Sequence, residues 1–86
     1  MLTGAYATSF VQGLQSQSYP QSYYEAVGCC KHAAAYSLEN YTDSSGNQVT
    51  RMSFDAIVSP EDFTLTYLPA FRDCIQHGKA RSVMCR

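Results

Sequence analysis

Apolar side chains recur every four residues near the start of the chain, at Tyr6, Phe10 and Leu14, with Ala7 and Val11 beside them. That period is helical and predicts a helix over residues 3–15, with Thr3 as its N-cap. Gln12 and Gln15 flank the apolar stripe, which is expected to face a core. Residues 16–24, SQSYPQSYY, are polar and aromatic around one proline and predict a loop. Residues 25–32 then predict a strand whose apolar run ends abruptly at Lys31 and His32. On spacing alone this is a core strand whose last two residues reach water. It is also the pattern of a site, because strand ends in α/β proteins open into crevices.

Further along, Asp43-Ser44-Ser45-Gly46-Asn47 is a dense turn signal inside a loop-rich centre over residues 40–50. Residues 51–58 predict a short extended segment. Ser59-Pro60-Glu61-Asp62 opens a second helix: a serine N-cap, proline at the first helical position, and two carboxylates in the first turn. Phe63, Tyr67, Phe71 and either Cys74 or Ile75 form its apolar face. Pro69 removes a backbone donor inside that helix and is expected to kink it. Gly78 is the expected C-terminal stop. Residues 80–85, ARSVMC, predict a second buried strand. Strand, loop, helix and strand in that order imply a βαβ crossover and a parallel pair.

The chain has 86 residues, six basic and seven acidic, and 45% of its residues are hydrophobic. That balance gives no electrostatic footprint for nucleic acid or an anionic membrane. No apolar run approaches the ~20 residues that span a bilayer. The opening MLTGAYATSF has neither a basic region nor a long apolar one, so it predicts no signal peptide. Of the four cysteines, adjacent Cys29 and Cys30 face opposite ways on a strand and do not share a role. An even count permits two disulfides without requiring them. The expectation is four small buried apolar side chains. Asn40-Tyr41-Thr42 is an N-glycosylation sequon, with Asn40 the acceptor. A metal module built on His32, His77 and the cysteines lacks the usual ligand spacing, so no metal and no cofactor is expected.

GCCKHAAAYSLENY, followed by SFDAIVSPEDFTLTYLPAFRDCIQHGKARSVMC, resembles the N-terminal domain of glycoside hydrolase family 3, in its β-xylosidase branch. That branch carries a CKH-aromatic-AAY-like run, an acidic-Asn-aromatic step, a D-L-x-x-x-Y-x-P-x-F helix and a V-M-C-S-Y-N strand, in this order. The resemblance covers nearly the whole chain, including YATSFVQGLQ near its start. It implies an α/β fold: an incomplete piece of a (β/α)8 TIM-like barrel, helix-strand-loop-helix-strand, with residues 1–86 a fragment of that domain and the remainder of the barrel missing.

The resemblance also implies site residues. Lys31 and His32 match a pair that contacts hydroxyls of the sugar next to the scissile bond. Lysine offers three donors, and an imidazole donates or accepts. Adjacent strand residues face opposite ways, so both reach one ligand only if the backbone leaves strand geometry near His32, with a cis peptide as one way to do so. The resemblance also implies that AAAYSLEN is an irregular loop, although its propensity is helical. Glu39 and Tyr41 fall at the acidic and aromatic steps and would line the sugar pocket. Met84 lies where the family strand approaches the sugar. Ala33 departs from the family, in which an aromatic residue follows the Lys-His pair.

The function implied is part of a retaining, exo-acting β-xylosidase of xylan metabolism, acting on a β-linked xylo-oligosaccharide or related glycoside. The family's nucleophile and acid/base lie beyond this stretch, so no catalytic residue is assigned and the chain alone is expected to be inactive. The alternative is a non-catalytic carbohydrate-binding or interaction remnant. Secretion is implied by the family.

Overall fold

The structure, a computed structural model, describes residues 2–16, 23–24 and 26–85. The interior of the expected first loop, including Tyr19, and the first residue of the expected first strand lie outside them. Helix α1 runs over Leu2–Gln15. Strand β1 is Cys29–Ala33, β2 is Asn40–Thr42 and β3 is Gln48–Thr50. A helical rod follows, made of α2 (Pro60–Asp62), a π-helical turn (Phe63–Tyr67) and α3 (Leu68–Gln76). Strand β4, Ser82–Cys85, closes the order. The protein is a small α/β unit in which β1 and β4 pair in parallel across the rod, as the pattern predicted.

The first helix forms where predicted, but it turns the other way. Gly4, Val11 and Gln15 are buried, whereas Tyr6, Phe10 and Leu14 are 70%, 58% and 43% exposed. The expectation that the aromatic stripe faces the core is overturned. The reason is hydrogen bonding. The C-terminal end of a helix presents carbonyls without helical partners, and α1 meets the end of α3 with polar side chains. Thr8 Oγ1 donates to Asp73 O at 3.2 Å and Gln12 Nε2 to His77 O at 2.9 Å. Gln15 Nε2 donates to Lys79 O at 3.0 Å. Thr3 lies inside the helix, which begins at Leu2, so it is not the N-cap.

Gln15 does more than flank a stripe. Its Oε1 accepts from the backbone N–H of Gly28 at 2.9 Å and of Arg81 at 3.3 Å. These residues lead into β1 and β4. One buried amide therefore sets the starts of both strands side by side. It also explains why β1 begins at Cys29 and no earlier among the described residues: the Gly28 N–H is spent on Gln15, and the ladder starts where Cys29 meets Ser82. Arg81 is held further by Tyr24, whose hydroxyl accepts from its guanidinium and whose ring lies 4.8 Å below it. The expected burial of β4 fails. All four of its residues are exposed, because among the described residues β1 is its only neighbour in the sheet.

The second helix starts as predicted. Ser59 Oγ accepts from the Asp62 N–H at 3.0 Å, with Pro60 in the first turn. The break expected from Pro69 takes the form of the π-helical turn just before it. Leu68 donates to Phe63 O, five residues back, as the chain widens ahead of the residue without an N–H. Phe63, Tyr67 and Phe71 are half-buried along the inner face, and Cys74, not Ile75, completes it at 5% exposure. Gly78 stops the helix by close approach. A Cβ there would lie 2.6 Å from Cys74 O. The left-handed residue is Lys79, at φ 58°, and Ala80 N–H closes the turn on Cys74 O at 3.2 Å.

The centre of the chain is a β-hairpin, not a loop. Strands β2 and β3 pair antiparallel around the turn that the sequence marks. The extended segment expected over 51–58 begins instead as a turn, because Ser53 and Phe54 both donate to Thr50 O, at 3.0 and 2.9 Å. The cysteine expectation also fails. Cys30 and Cys74 form a disulfide between β1 and α3, with Cα atoms 6.7 Å apart, while Cys29 and Cys85 are free and exposed. Cys30 faces α3 and Cys29 the other side, as strand alternation requires.

Replacing Gln15 by Leu leaves the buried N–H of Gly28 and the part-buried N–H of Arg81 and carbonyl of Lys79 without their partner. A buried unsatisfied group costs about 1–3 kcal/mol, and Gln15→Leu is expected to lower stability by about that much. Urea unfolding followed by circular dichroism reads this as a lower midpoint.

Candidate functional site

The site grows from the carboxyl end of β1. The parallel ladder is regular from Cys29 to Lys31, which pairs with Met84. It then slips, so that Ala33 pairs with Cys85 and His32 is left between. The Lys31–His32 and Ala33–Ala34 peptides are cis. The backbone thus leaves strand geometry where the sequence argument required it. Beyond, residues 34–39 form a turn and an irregular loop, and the helical propensity of AAAYSLEN is overridden. Ala35 sits at φ 65°, a conformation costly for a residue with a Cβ. Backbone held in such regions concentrates at functional sites.

Lys31 and His32 line one hollow of about 290 Å³. Tyr36 and Ser37 of the loop and Thr66 and Tyr67 of the π-helical turn complete its polar lining. The slip in the ladder delivers what a regular strand denies: two successive side chains on one cavity. The arrangement is chemically consistent. It offers an ammonium donor, an imidazole, two aliphatic hydroxyls and two phenol rings, a set that can donate and accept hydrogen bonds and present aromatic faces. The hollow is small, near the lower end of ligand sites, which start at about 300 Å³.

The structure separates the remaining predicted residues. Met84 is next to Lys31 in the sheet but does not line the hollow, and it is 45% exposed. Glu39, Asn40 and Tyr41 belong to the hairpin. Glu39 pairs with Arg51, Oε2 to Nη1 at 3.2 Å, and Arg51 N–H donates to Glu39 O at 3.1 Å. Tyr41 pairs with Val49 and is 45% exposed. Glu39 and Tyr41 do not reach the hollow of Lys31 and His32. Reading from the sequence alone missed Tyr36, Ser37 and Thr66. It placed Tyr67 on a core face, one of whose ends proves to be a cavity wall. The fact that the π-helical turn adjoins the strand end was the missing information. Across the loop, Arg51 and Asp55 edge a second hollow of about 360 Å³, again with Tyr36 on its border. Among the described residues no group of three or more His, Cys, Asp or Glu side chains is placed to hold a metal. His77 instead faces Asp73, Nδ1 to Oδ1 at 3.4 Å.

The hairpin is held by its turn. Asp43 Oδ1 accepts from the N–H of Ser45 at 2.8 Å and of Asn47 at 2.9 Å, and Oδ2 from the Asn47 amide at 3.2 Å. The bonds from the backbone and side chain of Asn47 lead in holding the Asp43 carboxyl below its ordinary range. Gly46 provides the positive φ of 85° that the turn needs.

A parallel strand pair bridged by a helix, with a hollow at one strand's carboxyl end, is an α/β arrangement. Comparison with known proteins supplies the family. The chain is 39% identical over 90 residues to "Probable beta-D-xylosidase 7" of Arabidopsis thaliana, covering 99% of this chain and 11% of that protein. It is 37% identical over 86 residues to "Beta-xylosidase/alpha-L-arabinofuranosidase 1" of Medicago sativa subsp. varia, covering 99% and 10%. It is 41% identical over 80 residues to a "Probable exo-1,4-beta-xylosidase" of Aspergillus flavus, covering 93% and 10%. No family model and no solved structure matches. By sequence the chain belongs with the β-xylosidases, and it spans about a tenth of the length of the curated relatives it matches.

Two measurements check this geometry. The Cys30–Cys74 bond spans 44 positions and ties β1 to α3, two walls of the hollow. On the chain-entropy account it contributes about 4 kcal/mol. Cys74→Ser, or reduction, is expected to lower the thermal midpoint sharply, read by circular dichroism with and without reductant. Asp43 titrates lower in the fold than the ~3.9 of an unfolded aspartate. Its contribution is therefore present above that value and is lost as pH falls through the depressed folded value. Asp43→Asn should flatten this acid limb, seen as loss of pH dependence in the Tyr41 and Val49 amide resonances.

Proposed function

We propose that residues 1–86 form part of the sugar-binding wall of a retaining, exo-acting β-xylosidase of glycoside hydrolase family 3, within its N-terminal (β/α)8 barrel domain. The observation that carries this reading is the slipped strand end. Lys31 and His32, at the positions where the family resemblance expects a sugar-contacting pair, line one hollow with Tyr36 and Tyr67. In this role Lys31 and His32 bind sugar hydroxyls, and the tyrosine rings offer faces for the sugar's C–H edges. The substrate is a β-linked xylo-oligosaccharide or related glycoside.

A retaining glycosidase needs two carboxylates about 5–5.5 Å apart. Among the described residues none lines this hollow; in this reading, which follows the family resemblance, the nucleophile and acid/base lie outside residues 1–86. Glu61, Asp62 and Asp73 serve the rod and its ends: Asp62 bonds Ser59, and Asp73 faces His77 and Arg72. Two further features support membership of a larger barrel. The parallel pair has no other strand beside it among the described residues, and parallel sheets are normally buried on both faces. The stacked Tyr6–Phe10 pair also lies exposed on α1. In the complete barrel, neighbouring elements cover both, and Glu39, Tyr41 and Met84 join the wall of the wider pocket. The Cys30–Cys74 bond fits a secreted enzyme, since disulfides persist in oxidising compartments.

The test is a chimera. Residues 1–86 replace the matching segment of the Arabidopsis relative, and hydrolysis of an aryl xyloside is measured. Activity is expected to survive the exchange. Lys31→Ala and His32→Ala are each expected to lower kcat/KM at least about tenfold, the scale of one lost hydrogen bond to a desolvated polar group. Unchanged kcat/KM in both variants would sink the assignment of the pair. The 86-residue chain alone is expected to hydrolyse no aryl xyloside. If it does so, and loses that activity with a resident carboxylate, the reading of an external nucleophile fails.

A further inference from the structure

We propose that Asn40 is N-glycosylated, and that the hairpin is the platform that holds its glycan clear of the sugar-binding wall. Asn40-Tyr41-Thr42 is the only Asn-X-Ser/Thr triplet in the sequence. The fold places all three of its residues in β2, each exposed. Asn40 and Thr42, two apart on a strand, share one face, and Tyr41 takes the other. The strand is two-sided: one side carries the acceptor amide and the hydroxyl that the modification requires, and the other carries the ring assigned to the wider sugar pocket.

The surroundings leave room for a glycan. The hairpin packs against no other helix or strand among the described residues. Its turn is tied by the Asp43 carboxylate and does not depend on Asn40 for any bond. Thr42 Oγ1 accepts from Gln48 Nε2 at 2.7 Å, an exposed contact that opens without disturbing a core. Asn40 pairs with Thr50 through the backbone, so its side chain is free of structural duty. An exposed two-stranded hairpin is a template for unwanted strand pairing. A bulky hydrophilic group on one strand blocks that approach.

The chemistry balances with a lipid-linked oligosaccharide pyrophosphate as donor. Asn40 Nδ2 forms a bond to the anomeric carbon of the first sugar. The bond from that carbon to the pyrophosphate oxygen breaks, the lipid pyrophosphate leaves with the electron pair, and one amide proton is lost to base. The inference rests on the secretory part of the proposed function, and the experiment separates the two.

The full 86-residue chain is expressed in eukaryotic cells behind an added cleavable signal sequence, so that entry into the secretory pathway is supplied by that signal. Both secreted and cell-retained chains are analysed by mass spectrometry before and after peptide N-glycosidase. The expected result is a single glycan whose removal leaves an aspartate at position 40. It is lost in Asn40→Gln and Thr42→Ala, and retained in Thr42→Ser. An unmodified chain in both fractions, after signal cleavage is verified, overturns the proposal, as does a modification that survives Asn40→Gln.

Discussion

Everything in this small fold hangs from one buried amide. Gln15 donates to the carbonyl of Lys79 and accepts from the N–H groups of Gly28 and Arg81. Those residues flank the entrances to β1 and β4, so the side chain brings together segments more than fifty positions apart. A hydrophobic residue could fill the space but not satisfy three backbone groups. The rest of the core is thin. Among the described residues the buried hydrophobic side chains are Val11 and Cys74, and the disulfide from Cys74 to Cys30 supplies covalently what apolar area does not.

From that alignment the site follows in sequence. Once β1 and β4 start together, Lys31 stands opposite Met84 and the slip falls at His32. The disulfide then holds β1 against the rod one residue before Lys31. The widened turn ahead of Pro69 brings Thr66 and Tyr67 to the strand end. The proline's missing N–H thereby acts at a distance. It determines where the rod widens, and the rod's wide point is a wall of the hollow.

The hairpin is a separate case. It is organised by Asp43, whose carboxylate gathers N–H donors from Ser45 and Asn47, and it relies little on the body of the protein. Glu39 and Arg51 brace its base through an exposed ion pair, a weak interaction at such sites. Its residues therefore reach any wider pocket through the position of the whole hairpin and not through packing of individual side chains.

The sequence by itself determined what depends on near neighbours. The helix expected over residues 3–15 and found over Leu2–Gln15, the Ser59 cap, the Asp43 turn and the stop after His77 are written in adjacent residue types, because periodicity, caps and turns are satisfied within a few positions. The order of elements implied the parallel pair. The abrupt end of the apolar run at Lys31 and His32 was legible, and the expectation that both side chains turn to one side matches the departure from strand geometry at a shared hollow. Only the tertiary structure decided which face of α1 is inside. Periodicity identifies an apolar stripe but cannot register that the distant carbonyls of Asp73, His77 and Lys79 need donors. For the same reason Gln15 read as a polar flank and proved to be the hub. The pairing of Cys30 with Cys74 and the shared hollow of Tyr36 and Tyr67 depend on contacts between segments far apart in the chain, and local pattern carries no record of them.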